Sequence, residues 1–225
     1  MEFQRARTDE QRDERRRTIL STAAAMLTEM PVADLSLNEL SKRVGLARSN
    51  VLRYFESRED ILLELLAREL GEAIAALDVP EGLGADAPLT ARIGGVAEAV
   101  ADALTTRPVL CDLISAQAAV LERNVSTQVA LRHKRASRTS VSALVHVIQR
   151  QVPELTGPEA VEVIAMTILL LAGAWPGSRP TEALLAAYAE DPSVAQFTVD
   201  FREVVARTVE FSAVGLLARR GITGR

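Results

Sequence analysis

Apolar and polar positions follow helical spacing along almost the whole chain. No stretch shows sustained two-residue alternation with β-branched enrichment, and alanine and leucine dominate the apolar positions. Clusters of proline and glycine interrupt this pattern and separate nine or ten predicted helices. In the first helix, predicted over roughly residues 9–29, Ile19, Ala23 and Met26 belong to one apolar stripe. The pattern therefore predicts an all-α fold.

Residues 35–55 contain two short predicted helices, 37–44 and 48–54, separated by a turn that begins at Gly45. Two short helices joined by a tight glycine turn are typical of a helix-turn-helix. A helical hairpin with one solvated face has the same pattern, so the pattern alone leaves both interpretations open.

The second of these helices has an apolar side, which includes Val51 and is expected to face the core. A helix of this size fits the major groove of DNA, where arginine pairs with guanine and asparagine with adenine. Ser36, at a helix N-terminus, offers backbone amides to a phosphate, and Tyr54 and Arg58 lie near enough in sequence to help. The first turn and the opposite side of the helix carry Arg48, Ser49, Asn50, Leu52 and Arg53.

Several short motifs occur here in one unbroken register. They read ILSTA at 19–23, SL at 36–37, VGLA at 44–47, VLRYF at 51–55 and SRE at 57–59. From about residue 15 to residue 66 this succession resembles the N-terminal domain of TetR-family transcriptional regulators. The resemblance implies a three-helix helix-turn-helix DNA-binding domain over residues 1–68. It also implies a larger helical domain over residues 69–225 for effector binding and dimerisation.

The resemblance also implies roles for individual residues in DNA binding. The implied base contacts are Arg48, Ser49, Asn50 and Asn38. The implied phosphate contacts are Ser36, Arg53, Tyr54 and Arg58. The chain departs from the family at Leu52, where a tyrosine is common, and we expect Leu52 to contact a thymine methyl group instead. It departs again at Ala47, where the usual serine would cap the recognition helix.

Two long predicted helices, near residues 159–174 and 192–217, are the candidates for a homodimer interface. Two half-sites on DNA are read by a protein with two-fold symmetry, which favours this interpretation. Phe201, on the second helix, is a predicted interface residue. The alternative is that both helices belong to the core of a single chain.

Family members enclose a small-molecule effector among their C-terminal helices, so we expect such a pocket here. The sequence offers only chemically distinctive side chains as candidates. His133 is equally distinctive, and its spacing from His146 puts the two on different sides of a helix, so they are not expected to form a shared catalytic site. The predicted ligand-binding residues are Cys111, Gln117, His146, Met166 and Trp175.

The charge distribution limits where DNA can bind. The 225 residues carry 26 bases and 30 acids, for a net charge of −4, so a basic face has to be local. Residues 71–125, with three bases and eight acids, would repel DNA. A single cysteine excludes a disulfide framework within the chain and favours a reducing compartment.

We expect a cytoplasmic location without a membrane span. The first 17 residues lack the apolar segment of a secretion signal. The longest apolar run, 163–175, is short for a bilayer and is predicted to be a buried helix.

No cysteine and histidine spacing fits zinc, and the glycines at 82 and 84 follow no predicted strand, as a dinucleotide fingerprint would require. We therefore expect no catalytic residues, no metal and no cofactor.

These observations predict a bacterial DNA-binding transcriptional regulator. We expect a repressor that binds double-stranded operator DNA with palindromic sequence and is released by a small molecule. Two alternatives stay open at this point. One is an all-helical small-molecule-binding protein or enzyme without DNA-binding activity, and the other is an architectural DNA-binding protein without an effector.

Overall fold

The computed structural model describes residues 2–77, 87–195 and 198–222, with side chains from residue 10 onward. Within these ranges the regular structure is entirely helical, which confirms the all-α prediction. A π-helical turn (Gln117–Leu121) follows the sixth helix and a 3-10 turn (Pro192–Ala195) follows the ninth. The α-helices are α1 (Glu2–Leu27), α2 (Leu37–Val44), α3 (Arg48–Val51), α4 (Arg58–Ala75), α5 (Leu89–Thr105), α6 (Pro108–Ala116), α7 (Thr127–Gln151), α8 (Gly157–Gly177), α9 (Glu182–Glu190) and α10 (Phe201–Arg219).

The first three helices form a small bundle around an apolar core to which Ile19, Leu40 and Phe55 contribute. Arg16 fastens α1 to the other elements. Its guanidinium lies 4.3 Å from the centre of the Phe55 ring and donates to the Tyr54 carbonyl and to Glu64 on α4. A cation over an aromatic face adds to the packing there. Arg16 therefore holds the segment that follows α3 against α1 and also joins α1 to α4.

The recognition helix is shorter than predicted. α3 ends at Val51, and residues 52–54 continue as tight turns, in which the amide of Tyr54 donates to the Val51 carbonyl at 2.9 Å. The predicted helix over 48–54 is therefore wrong at its C-terminal end. The chain has to bend there because Phe55, which is 2% exposed, enters the core. Ala47 makes no side-chain cap, as expected for a residue without a hydroxyl group.

α4 connects the small bundle to the rest of the molecule. It runs without a break past the domain boundary proposed at residues 68 and 69, and it packs against α1 on one side and α6 and α7 on the other. Its start is capped by Ser57, whose hydroxyl accepts from the amide of Asp60 at 3.1 Å. The proline- and glycine-rich segment at 79–88 lies almost entirely outside the described residues.

The C-terminal region is a layered bundle in which α10 packs against both α5 and α8. The predicted single helix over 192–217 is interrupted. The chain forms a 3-10 turn at Pro192–Ala195, and α10 begins only at Phe201, where the Asp200 carboxylate accepts from the amide of Glu203 at 3.0 Å.

The placement of Phe201 in a dimer interface is also wrong. Its side chain is 8% exposed, and its ring centre lies 4.9 Å from that of Trp175 in an edge-on arrangement. Phe201 therefore packs within its own chain.

α8 is the one helix among the described residues that is long and apolar enough to cross a membrane, with a mean hydropathy of 1.7. A core helix passes the same test of length and composition, and here Val163, Leu171 and Trp175 are buried against neighbouring helices.

Candidate nucleic-acid interface and effector cavity

The helix-turn-helix depends on the conformation of Gly45. This residue has φ of 73° and ψ of 29°, in the left-handed region that glycine adopts without strain. Its amide donates to the Lys42 carbonyl at 3.1 Å, and the Leu46 amide donates to the Ser41 carbonyl at 3.0 Å. These bonds end α2 and redirect the chain into α3. At the other end of α2, Ser36 caps the helix by accepting from the amide of Glu39 at 3.1 Å.

Seven of the side chains predicted to contact DNA are exposed, and we call this set the recognition face. Leu52, with 40% of its surface exposed, supplies the apolar part of this face. No salt bridge engages Arg48 or Arg53 among the described residues, so both guanidinium groups are available for a ligand. The recognition face consists of Ser36, Asn38, Arg48, Ser49, Asn50, Leu52 and Arg53.

A basic groove adjoins the recognition face. Arg12 and Arg15 on α1 line it together with Arg53 and Tyr54, and the one carboxylate in its described lining, Glu14, is paired with Arg17 at 2.7 Å. Sequence reasoning did not select Arg12 and Arg15, although their spacing of one helical turn on a basic helix was a usable signal. Three arginines beside a tyrosine form a surface suited to the phosphates of one DNA strand.

Arg58, the remaining predicted phosphate contact, is placed differently. Its guanidinium donates to the Val32 carbonyl and lies 3.4 Å from a Glu59 carboxylate oxygen, and its side chain is 20% exposed. Arg58 therefore braces the loop between α1 and α2 in this structure. A contact with phosphate would require Arg58 to give up the Val32 carbonyl.

A separate cavity of about 220 Å³ lies in the C-terminal region, between α4, α5, α6, α7, α8 and α10. Most of its lining is aliphatic, for example Leu70 on α4 and Ile168 on α8. Its position and lining suit a small, largely apolar ligand. The polar residues in the lining are Gln117, His133, Lys134, Ser137, Ser140 and Thr167.

The predicted ligand-binding residues are scattered, and only Gln117 lines this cavity. Cys111 is buried in the core, where its thiol donates to the Leu104 carbonyl at 3.4 Å and burial raises its pKa to about 12. Trp175 is buried too, and its indole N–H donates to Asp112 at 2.5 Å. His146 and Met166 are exposed on outer surfaces.

Four side chains at the cavity form a hydrogen-bonded group, which we call the polar cluster: Gln117, Glu122, His133 and Lys134. The Gln117 amide nitrogen donates to Glu122 at 2.6 Å and lies 3.0 Å from His133 Nε2. Lys134 Nζ lies 2.8 and 2.9 Å from the two Glu122 oxygens. Burial raises the pKa of Glu122, but the hydrogen bonds from Lys134 and Gln117 outweigh it and hold the pKa below its ordinary value. The Glu122 carboxylate is therefore charged and paired.

The residue before His133 connects the cavity with the DNA-binding region. Arg132 Nη2 lies 2.9 Å from Asp60, a 95% buried carboxylate in the first turn of α4, and Arg132 Nη1 lies 3.8 Å from Glu56. Ser126, the cap of α7, donates to the same Glu56 at 2.6 Å. We call these contacts the α7–α4 clamp. It joins the start of α7 to the corner that follows the recognition helix.

α8 and α10 each expose an apolar stripe, although both also contribute to the core. The largest exposed side chains are Leu169 on α8, 69% exposed, and Phe211 on α10, 67% exposed. Side chains of this size rarely stand free on a soluble surface in adjacent stripes. The exposed members are Val161, Ala165, Met166, Leu169 and Gly173 on α8, and Phe211, Val214, Gly215 and Ala218 on α10.

Comparison with protein families separates an N-terminal DNA-binding region from a C-terminal region. Residues 19–65 match the family described as bacterial regulatory proteins, tetR family. Residues 66–220 match the tetracyclin repressor-like C-terminal domain. The two matches together cover nearly all of the described chain.

Individual relatives resemble this chain in sequence over a short region and in fold over most of its length. The HTH-type transcriptional regulator EthR of Mycobacterium tuberculosis is 42% identical over 65 residues, which are 29% of this chain and 30% of EthR. A TetR transcriptional regulator from Rhodococcus sp. RHA1 has a TM-score of 0.59 and 14% identity, over 91% of this chain and 97% of its own. A tetR-family regulator from Streptomyces coelicolor has a TM-score of 0.54 and 17% identity, over 92% and 82%. At these identities the two structures show the shared fold.

Proposed function

We propose that this chain, which belongs to the tetR family of bacterial regulatory proteins, is a homodimeric repressor that a small molecule releases from a palindromic operator. The recognition face carries this proposal. It presents guanidinium, amide, hydroxyl and aliphatic groups together, and these are the groups that read base edges in the major groove. In this role the protein acts in the cytoplasm as a regulator and not as an enzyme.

The DNA contacts divide into two kinds. Arg48, Ser49 and Asn50 read base edges, Asn38 adds a further base contact, and Leu52 meets a thymine methyl. Arg12 and Arg15, together with Arg53 and Tyr54, hold the phosphates of the adjoining strand through the basic groove, and the amides behind Ser36 hold another phosphate. This division supplies both sequence preference and salt-dependent affinity.

The exposed stripes of α8 and α10 support the homodimer. Two copies that bury Leu169 and Phe211 against each other form a four-helix interface with two-fold symmetry. The two predicted segments, 159–174 and 192–217, both contribute, but the second does so through Phe211 and its neighbours instead of Phe201. Binding to a palindrome requires that such a dimer present its two recognition faces on the same side of the assembly.

The cavity supports binding of the effector. Its ligand would contact α7 next to the α7–α4 clamp, so a shift of α7 moves the start of α4 and with it the recognition helix. Release from DNA then requires that the effector bind more tightly to the displaced arrangement than to the DNA-bound one. Unlike the recognition face, this part of the proposal depends on contacts between elements distant in sequence.

Selection from a random pool of duplex DNA tests the proposal. We expect the purified full-length chain to enrich a palindrome whose half-sites lie about one helical turn apart, and to lose affinity steeply as salt rises. Recovery of no motif, with weak binding that depends only on salt, would contradict a sequence-specific regulator. Complete absence of DNA binding would favour a small-molecule-binding protein instead.

A further inference from the structure

The segment between α8 and α10 leaves the core of the protein and returns to the same place. Trp175, near the end of α8, and Phe201, at the start of α10, are both buried, and their ring centres lie 4.9 Å apart. Among residues 178–195 and 198–200, the described part of the segment between these helices, none is buried. We call residues 178–200 the arm. Its two ends meet while its middle is exposed, so the arm lies on the outside of its own chain.

The helix in the arm, α9, has one apolar side. At 100° per residue, Leu184, Leu185 and Tyr188 lie on one side of this helix, and Glu182 and Glu190 lie on the opposite side. Leu184 is 46% exposed and Leu185 is 53% exposed. α9 therefore has an apolar face that its own chain leaves largely uncovered.

α9 is too short to be stable without packing. A helix of fewer than about 12–15 residues is marginal in water by itself and is stabilised in proteins mainly by packing of its apolar side. α9 has nine residues, and its local support is the cap at Thr181, whose hydroxyl accepts from the Leu184 amide at 3.4 Å. Val194, in the turn that follows, is 52% exposed, so the apolar surface extends beyond the helix. The cover for this surface has to come from another molecule.

The position of the arm indicates that this molecule is a second copy of the chain. The exposed stripe of α8, which supports the homodimer, continues through Leu169 and Gly173 to Gly177, the last residue before the arm. The arm therefore begins where the interface surface ends. At 1.5 Å per residue α9 is about 14 Å long, more than the diameter of about 10–12 Å of a helix with its side chains. The arm is thus long enough to cross α8 of one chain and lie on the other.

The charge of the arm disfavours DNA or a membrane as the partner. Residues 181–195 carry three acids, Glu182, Glu190 and Asp191, and no lysine or arginine. A segment of this charge is repelled by the phosphates of DNA and by anionic lipids. Glu182 and Glu190 lie opposite the leucines, so both remain in water when a protein surface covers the apolar face.

We propose that α9 of each chain packs its apolar face, Leu184, Leu185 and Tyr188, on the partner chain, so that the two chains of the dimer exchange arms. This inference rests on the proposed function only in the pairing of the α8 and α10 stripes. It goes further in assigning a role to a segment that this pairing leaves out. The stripes hold the two chains together, and each arm covers a surface of the other chain.

Amide hydrogen exchange of the full-length chain tests whether the partner covers α9. We expect the α9 amides to exchange at least about tenfold more slowly in the dimer than in a monomer, obtained by dilution or by Phe211→Glu and verified by sedimentation. The amides of α5, which packs on α10 within one chain, should change little. Equally fast exchange in dimer and monomer would contradict the proposal. Slow exchange that persists in the monomer would contradict it too, because the chain would then cover its own arm.

Two variants of α9 show which side is covered. Leu184→Glu places a charge on the apolar face and should remove the protection of α9, while the stripes of α8 and α10 maintain the dimer. Ala186→Glu adds the same charge on the side of Glu182 and Glu190 and is the matched control, which should keep the protection. Both positions are exposed, so neither change disturbs the core. Equal protection in the two variants would exclude the apolar face as the contact.

Photo-crosslinking shows which chain contacts α9. Cys111 is buried, so a thiol introduced at an exposed position takes the label. Leu184→Cys labelled with a benzophenone should give a covalent pair of chains, with twice the mass on a denaturing gel. Ala186→Cys with the same label should give much less. Crosslinks only within single chains would overturn the exchange of arms.

These measurements contain no DNA, so their failure is distinct from failure of the proposed function. A chain that selects a palindrome as a dimer but leaves α9 unprotected is the proposed regulator without exchanged arms. A chain that crosslinks to its partner through α9 but selects no DNA sequence keeps the arm contact and loses the regulatory role.

Discussion

The recognition face and the effector cavity are built in opposite ways. The recognition face comes from one continuous segment, residues 36–53, with Ser36 and Gly45 fixing its helix ends through local hydrogen bonds. The cavity is assembled from six α-helices and the π-helical turn, with lining residues that extend from Leu66 to Val209. The helix-turn-helix presents its side chains to DNA, whose shape is nearly constant. The chemistry of the cavity, in contrast, can be changed by a single substitution at any of its lining residues.

The two regions should depend very differently on the dimer. Replacing Phe211 with glutamate places a charge in the exposed stripe of α10 and should produce monomers in sedimentation experiments. Operator affinity should then fall by roughly 100-fold or more, because two half-sites are no longer bound as one unit. The cavity of each chain should change little, because Phe211 does not line it.

The control is Leu185→Glu on α9, which is also apolar and 53% exposed but lies outside the stripes. It should remain dimeric. A dimer of normal affinity in Phe211→Glu would place the interface elsewhere.

Within the recognition face, Arg48→Ala should have the next largest effect. It should weaken binding to the selected operator by about 1–3 kcal/mol and relax the base preference at one position of each half-site. Arg150→Ala, an exposed arginine on α7, is the control for the lost charge. Binding of both variants is measured on a set of operators with single base changes, which distinguishes a loss of base preference from a general loss of affinity. If Arg48→Ala weakened all sequences alike, its role would be a phosphate contact.

The α7–α4 clamp joins α7, which lines the cavity, to the start of α4. Weakening the clamp should therefore loosen the start of α4. Arg132→Met removes the guanidinium from the 95% buried Asp60 but keeps the aliphatic part of the side chain. We expect the amides in the first turn of α4 to exchange with solvent several-fold faster, in line with a loss of about 1 kcal/mol. Arg135→Met, exposed on the same helix, should leave exchange unchanged. Identical exchange in the two variants would show that the clamp does not hold α4.

The sequence was informative where structure is local. The glycine turn, the start of α2 and the exposed side chains of the recognition helix follow from residues within one or two turns of each other. The end of α3 was predicted wrongly because helical spacing does not show that the chain bends to bring Phe55 into the core. The brace between Arg58 and Val32 was missed for the same reason, since the two residues lie far apart in the chain.

The remaining predictions failed because they depend on tertiary packing. α10 has apolar residues on more than one side, so periodicity alone does not show that Phe201 meets its own chain while Phe211 faces outward. Cys111 and Trp175 are chemically distinctive but are satisfied by Leu104 and Asp112. The sequence marked His133 as chemically distinctive, but its contacts with Gln117 and Glu122 depend on how the helices pack and could not be predicted.

The most direct test of the account is the stoichiometry of the wild-type chain on its selected DNA. Sedimentation of labelled duplexes compares the full palindrome with a duplex that carries one half-site intact and the other scrambled. We predict two chains on the palindrome and a loss of roughly 100-fold or more in affinity on the single half-site, with steep salt dependence in both cases. One chain per palindrome, or equal affinity for the two duplexes, would contradict a dimer that reads DNA with two recognition faces.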